Sequence, residues 1–265
     1  MDIPAKRWYE AIQIRKSRRN YLDKPLDNKV KNSLISFLDH INKSVEGVRV
    51  EFVKEGGSKV IKNIIGSYGL INGVNSYLAF IGDTRDYRVY EKLGYMGEAC
   101  ILEATSLGLD TCWLAGFFKK EIVEKQLKLK DKENIFAITP VGYSNENYSL
   151  PEKILKKMVG SNNRKTVDEL CYDGFDRDWP EWIKNAIKAV RIAPSAANQQ
   201  PWRFKITEDM NSIIISIDKE KKIESRRLDC GIAMLHIEIA ALYSGVKGSW
   251  EYLEFPEIAV YTRKI

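Results

Sequence analysis

Residues 191–204 read Arg-Ile-Ala-Pro-Ser-Ala-Ala-Asn-Gln-Gln-Pro-Trp-Arg-Phe. An apolar helical run leads into this stretch and ends at Ala193. Pro194 stops it, because proline has no N–H to donate and disfavours helical geometry in the residue before it. Ser195, Asn198, Gln199 and Gln200 follow within six positions, and Pro201-Trp202 opens an alternating strand. A dense set of uncharged donors and acceptors at a helix–strand junction suits a flat, heteroatom-rich ligand. On composition alone the same stretch reads equally as an ordinary polar loop with a buried tryptophan.

The 265-residue chain is long enough to bury a sizeable core, as one large domain or two small ones. Hydrophobic content of 44% and charged content of 29% are those of a globular protein. The formal net charge is +6, but lysines and arginines are mixed with acids along the whole chain. Without an arginine-rich arm, zinc-finger spacing or aromatic ribonucleoprotein motif, nucleic acid is not an expected partner. Cys100, Cys112, Cys171 and Cys230 lie far apart, and the histidines are His40 and His236. A zinc or haem site is therefore not expected, and reduced buried thiols fit a cytoplasmic location. The first eight residues lack the apolar core of a signal peptide, and no apolar run reaches membrane-spanning length.

Helical spacing covers residues 4–16, and Asp27 is placed to cap a helix running to about His40. Residues 48–53 alternate as a strand, and residues 76–82 form a nearly continuous apolar strand. Residues 86–107 and 229–244 read as long helices. Strands are expected at 112–115, 135–143, 203–206, 212–218, 250–255 and 258–262. Strands alternate with helices, yet several neighbours look like hairpins. The expected class is therefore α+β rather than a doubly wound parallel sheet.

An internal repeat underlies this order. Gly94, Gly108 and Trp113 recur as Gly231, Gly245 and Trp250, each pair 137 residues apart, and Ala104 matches Ala241 at the same offset. The repeat predicts two like units, residues 1–159 and 160–265.

Residues 194–202 are similar to the flavin-binding Pro-Ser-x-x-Asn-x-Gln-Pro-Trp segment of the nitroreductase family. Arg15-Lys16-Ser17-Arg18-Arg19 resembles the Arg-x-Ser-x-Arg motif that holds the FMN phosphate there. Gly108-Leu109-Asp110-Thr111-Cys112-Trp113 resembles a third signature, with Asp110 in place of the usual glycine. The closest fit is the subfamily in which two nitroreductase-like halves are fused in one chain.

The resemblance implies a nitroreductase-like mixed-sheet α/β/α sandwich, built as a single-chain pseudo-dimer. It implies FMN as cofactor, with Arg15, Lys16, Ser17 and Arg19 at the phosphate. Leu114, Ala115 and Gly116 would present backbone N–H groups to flavin N5 and O4. Pro194, Ser195, Asn198 and Gln199 would line the ring edge. Arg164 and Lys165 carry three readings: a phosphate contact, a remnant of the residue 15–17 motif, or a solvated pair. The place in the first half that should match Pro194 falls near residues 39–44 and has lost the motif, so one flavin per chain is expected. Phe117, Phe118 and Tyr68 are candidate walls of the substrate face.

No side-chain catalytic set stands out, because in such enzymes flavin N5 carries the chemistry. The implied activity is ping-pong hydride transfer from NADH or NADPH to a small acceptor such as a nitroaromatic or quinone. The alternative is a flavin store or sensor with little turnover. A monomer could be active, and a homodimer is compatible with the same reading.

Overall fold

The structure, a computed structural model, describes residues 1–61, 71–116, 118–158, 160, 163–217 and 224–264. Two four-stranded antiparallel sheets flank a helical layer. The first contains β1 (Val48–Val53), β2 (Ser76–Asp83), β3 (Asp110–Thr111) and β4 (Glu133–Gly142) in the order β1-β2-β4-β3. The second contains β5 (Trp202–Ile206), β6 (Ser212–Ile217), β7 (Gly248–Tyr252) and β8 (Glu257–Arg263) in the order β5-β6-β8-β7. Rank for rank the two orders are the same. Among the described residues, parallel pairing is confined to isolated bridges: Ser17 with Thr111, Asn20 with Asn72 and Cys171 with Phe204.

The helices are α1 (Ala5–Ile14), α2 (Asn28–Ile41), α3 (Gly57–Ile61), α4 (Val89–Ser106), α5 (Lys120–Gln126), α6 (Leu150–Met158), α7 (Val167–Leu170), α8 (Glu181–Arg191) and α9 (Glu224–Tyr243). α2 starts where expected, because the Asp27 carboxylate accepts from Lys29 N–H at 2.8 Å and Val30 N–H at 3.4 Å. β2 is buried on both faces. Leu78 and Phe80 point into the core shared with the long helices, whereas Tyr77, Ala79 and Ile81 join a second cluster with Val60 and Val123.

The strand expected at 112–115 is shorter and begins earlier. Cys112 N–H donates to the Thr139 hydroxyl at 3.0 Å instead of to the ladder, and pairing resumes only at Leu114 with Ile138. α6 and α7 lie where no element was expected. Each opens on a capping box, Ser149 with Glu152 and Thr166 with Glu169.

α4 and α9 pack on each other at the centre of the molecule. Their contact is reciprocal. A Cβ on Gly94 would lie 2.0 Å from Leu228 O, and a Cβ on Gly231 would lie 2.1 Å from Glu91 O. Glu91 and Leu228 are themselves 137 residues apart, so each helix approaches the other with the same patch. Both helices also stop alike. Gly108 and Gly245 each have φ of +79°, and the N–H of the next residue returns to Ala104 O and Ala241 O respectively. No helix of the described residues is long and apolar enough to cross a membrane.

Candidate cofactor site

α1 ends at Ile14, and the chain from Arg15 to Asn20 is extended. Alternate side chains of an extended segment share a face, so Arg15, Ser17 and Arg19 are grouped by strand alternation rather than by a helical turn. The Arg15 guanidinium reaches the Ser17 hydroxyl at 3.5 Å. Arg18 turns away instead. It pairs with Glu152 at 3.4 Å, donates to Asn145 O at 2.6 Å and lies 4.7 Å above the Tyr148 ring. Lys16 is exposed and has no partner among the described residues. Arg19 is half-buried, and its Nε is buried with no hydrogen-bond partner.

Glu152, which the sequence reading missed, fixes this segment. Its Oε1 accepts from Arg19 N–H at 2.8 Å and its Oε2 from Ser149 N–H at 2.8 Å. Burial works against the ionised form, but these backbone donors, the Ser149 hydroxyl and Arg18 hold the carboxyl below the usual range. Its one local signal is the Ser-x-x-Glu capping pattern at residues 149–152.

Arg164 stands close enough to Arg15 and Arg191 for their charges to act on it. Burial first, then those two guanidiniums, push its pKa down to about 10. Its Nη1 donates to Ala193 O at 2.6 Å. Among the described residues no carboxylate pairs with Arg164 or Arg191. The side chain of Lys165 is directed elsewhere, to Gln200 O at 3.0 Å. Of the three readings of this pair, the placement of Arg164 beside Arg15 favours an anion contact, whereas Lys165 braces the neighbouring loop.

That loop, residues 193–201, folds back through left-handed conformations at Ala197 (φ 48°), Asn198 (φ 55°) and Gln200 (φ 48°). Three such non-glycine residues in four positions are strain of the kind found at ligand sites. The loop is held from several sides. Ser195 Oγ accepts Gln200 N–H at 2.9 Å. The Asn198 amide donates to Gly160 O at 2.8 Å and Asn163 O at 3.0 Å, so its NH2 is a loop clamp rather than a free ring-edge donor. Gln199 is exposed and Pro194 buried. Asp229, also missed from the sequence, accepts Ala196 N–H at 3.1 Å from α9. Burial raises its pKa to about 8, with Ala196 and Arg226 acting in the opposite direction.

In the segment after β3, Leu114 is buried and its N–H donates to Ile138 O at 2.9 Å. It is therefore not a donor to a ligand. Ala115 and Gly116 are exposed, and neither N–H has a partner among the described residues. A Cβ on Gly116 would meet nothing within 4 Å. Asp110 fits the place of a glycine because its carboxylate ties β3 to Ser144, with the hydroxyl donating at 2.5 Å. Trp113 is half-buried, lies 4.5 Å from Phe80 and donates to buried Glu98 at 2.8 Å. Phe118 packs into the cluster around Val123, not against the open side of Gly116. Tyr68 and Phe117 lie outside the described residues.

The sequence profile of the family described as "Putative TM nitroreductase" matches residues 7–241, and the chain belongs to that family. In fold it is similar to a "putative nitroreductase" from Thermotoga maritima, with a TM-score of 0.64 at 18% identity over 96% of this chain and 93% of that one. Smaller chains match part of it. A "Putative NADH dehydrogenase/NAD(P)H nitroreductase" from Bacteroides thetaiotaomicron covers 56% of this chain and 92% of its own, at 20% identity and a TM-score of 0.43. An "FMN-dependent Nitroreductase" from Clostridium difficile covers 56% and 94%, at 17% identity and a TM-score of 0.41. No curated protein matches the sequence.

The residues present fit a phosphorylated flavin. Arg15 and Arg191 lie near enough to Arg164 for their charges to act on it with no carboxylate on Arg164 or Arg191, a buried Arg19 Nε lacks an acceptor, and the exposed Ala115 and Gly116 have N–H groups with no partner among the described residues. An anion with hydrogen-bond-accepting edges satisfies all three.

Proposed function

We propose that this protein is an FMN-dependent NAD(P)H oxidoreductase acting on small acceptors such as nitroaromatics or quinones. We further propose that it is a fused pair of like halves, residues 1–159 and 160–265, with one cofactor site between them. The observation that carries the reading is the convergence of Arg15 from one half with Arg164 and Arg191 from the other, beside the loop at residues 193–201. Like charges are brought together at a cost unless an anion is bound among them. A dianionic phosphate supplies that anion, and arginine's planar fork meets it with paired donors.

FMN, when bound, supplies hydride acceptance and donation at its ring. The chain's own part is to bind, orient and stabilise charge. Arg15, Ser17, Arg19 and Arg164 hold the phosphate. Ala115 and Gly116 N–H groups donate to the ring heteroatoms that gain charge on reduction. The strained loop at residues 195–200 borders the ring from the second half. Lys16, Leu114 and Lys165 have no contact role in this reading. The single-chain arrangement also means that a monomer is competent.

The test is anaerobic addition of NADH or NADPH to the FMN-loaded protein. Loss of the oxidised flavin absorbance, with its return on adding a quinone or nitroaromatic, is expected. A flavin that stays oxidised would leave a flavin store or sensor. Absence of flavin binding would overturn the site itself.

A further inference from the structure

Glu98 lies in α4, fully buried, where three segments of the proposed site meet. Its Oε2 accepts the Trp113 indole N–H at 2.8 Å, immediately before the Leu114–Ala115–Gly116 segment. Its Oε1 faces His236 Nε2 at 3.1 Å, from α9. The Nε of Arg15 stands 3.9 Å from the same oxygen. His236 is also fully buried, and its Nδ1 lies 3.0 Å from Ala189 O in α8. A carbonyl oxygen only accepts, so Nδ1 carries hydrogen. A ring nitrogen facing a carboxylate oxygen at 3.1 Å requires one further proton between them. The pair therefore shares a proton across the two halves. α8 ends two residues past Ala189, at Arg191, and the carbonyl of Ala193 just beyond it takes Arg164. The contacts run from Arg15 through Glu98, His236 and α8 to Arg164, the two cations that repel each other.

We propose that Glu98 is a positioning residue that sets Arg15 against Arg164 in the phosphate site, a role that rests on the FMN reading. At 3.9 Å the Glu98 Oε1, the negative end of its proton-sharing pair with His236, faces Arg15 without a hydrogen bond to it. It steadies the guanidinium and leaves its donors for the phosphate. A neutral side chain there would release Arg15 to move away from Arg164 and Arg191.

Glu98→Gln removes the carboxylate beside Arg15, together with the proton it shares with His236, while keeping the shape. The amide oxygen accepts from Trp113, and the amide NH2 donates to a neutral His236 Nε2. Dissociation constants for FMN and for riboflavin, the same ring without phosphate, separate positioning from general damage. FMN affinity is expected to fall about tenfold, the scale of one charge-assisted contact, with riboflavin unchanged. Equal weakening of both would overturn the proposal. Should Glu98→Gln not fold, Glu98→Asp withdraws the same charge by one methylene. The same preferential loss for FMN is expected, and equal weakening again overturns it. A second readout needs no flavin: the order of the Arg15 Nε–H by nitrogen-15 relaxation in the flavin-free protein. It is expected to be rigid in the wild type and mobile in Glu98→Gln. That result with no flavin bound to the wild type would sink the FMN reading and leave the Glu98–Arg15 coupling standing. An Arg15 equally ordered in both proteins would sink the coupling, whatever flavin does.

Discussion

Trp113 and Trp250 occupy matching places in the two proposed halves and end in different surroundings. Each donates its indole N–H to a glutamate on the long helix of its own half, Trp113 to Glu98 at 2.8 Å and Trp250 to Glu238 at 2.9 Å. Each glutamate is met from the other half's long helix, Glu98 by His236 and Glu238 by the Tyr95 hydroxyl at 2.7 Å. Beyond that point the halves diverge. β7 stays paired with β8 through Tyr252, and Leu253 N–H then bonds Ile258 O at 2.9 Å. β3 pairs over two residues, pairing returns once at Leu114 with Ile138, and beyond it the Ala115 and Gly116 N–H groups have no partner among the described residues. The loops before the first strand of each half reverse the pattern. After α2, Asn42 closes the turn onto Val50 with bonds of 2.8 and 2.9 Å. After α8, the longer loop at residues 193–201 holds three left-handed residues. Two sheets of the same strand order thus differ in where backbone regularity stops, and the open strand end and the open loop are the two places the proposed site uses. Sites of this kind are where local rules give way.

The largest expected effect breaks what the halves share. Gly94→Ala and Gly231→Ala each place a methyl within about 2 Å of a carbonyl oxygen on the opposite helix. Each is expected to destabilise by about 3 kcal/mol or more, by similar amounts, in chemical denaturation. A strongly unequal pair would show that the crossing is not reciprocal.

Asp229 sharpens the difference between the halves, since the residue 137 earlier is Lys92, which pairs with Asp86 at 2.6 Å. Unfolded, Asp229 ionises near 3.8, and folded it keeps its proton to about 8. The unfolded state therefore loses its proton first, and stability falls as pH rises through that window and levels off above it. The slope contributed is up to about 1.4 kcal/mol per pH unit. Asp229→Asn is expected to flatten the stability–pH curve between pH 4 and 8. An unchanged curve would place the charged form of Asp229 in the folded state.

Arg19→Ala removes a cation whose Nε is buried without a partner. FMN affinity is expected to fall by about 1.5–3 kcal/mol, roughly tenfold to a hundredfold, with the unfolding midpoint little changed. Unaltered affinity by fluorescence titration would remove Arg19 from the site. Smaller still, Trp113→Phe is expected to weaken FMN binding by about 1 kcal/mol through the lost bond to Glu98, while Trp250→Phe leaves it unchanged. Equal effects would erase the distinction between the halves.

Much of the frame was legible in the sequence because its causes are local. The Asp27 cap, the apolar run at residues 76–82 and the paired glycines each depend on neighbours within a few positions. The cluster at residues 15–19 was legible as residue types but not as geometry, since alternation and helical spacing both bring residues 15 and 19 together. What stayed hidden lies in contacts between distant parts of the chain. Arg18 meets Glu152 across 134 positions and His236 meets Glu98 across 138, and such pairs leave no periodic trace. Leu114 and Asn198 could not be removed from the donor set without knowing which N–H groups the fold already uses.

Flavin stoichiometry tests the central claim most directly. The apo protein is saturated with FMN, desalted and examined by native mass spectrometry, beside an Arg164→Glu variant that inverts the charge facing Arg15. One FMN per chain in the wild type and none in the variant is the expected result. Two FMN per chain, or one retained equally by the variant, would contradict a single site built between the two halves.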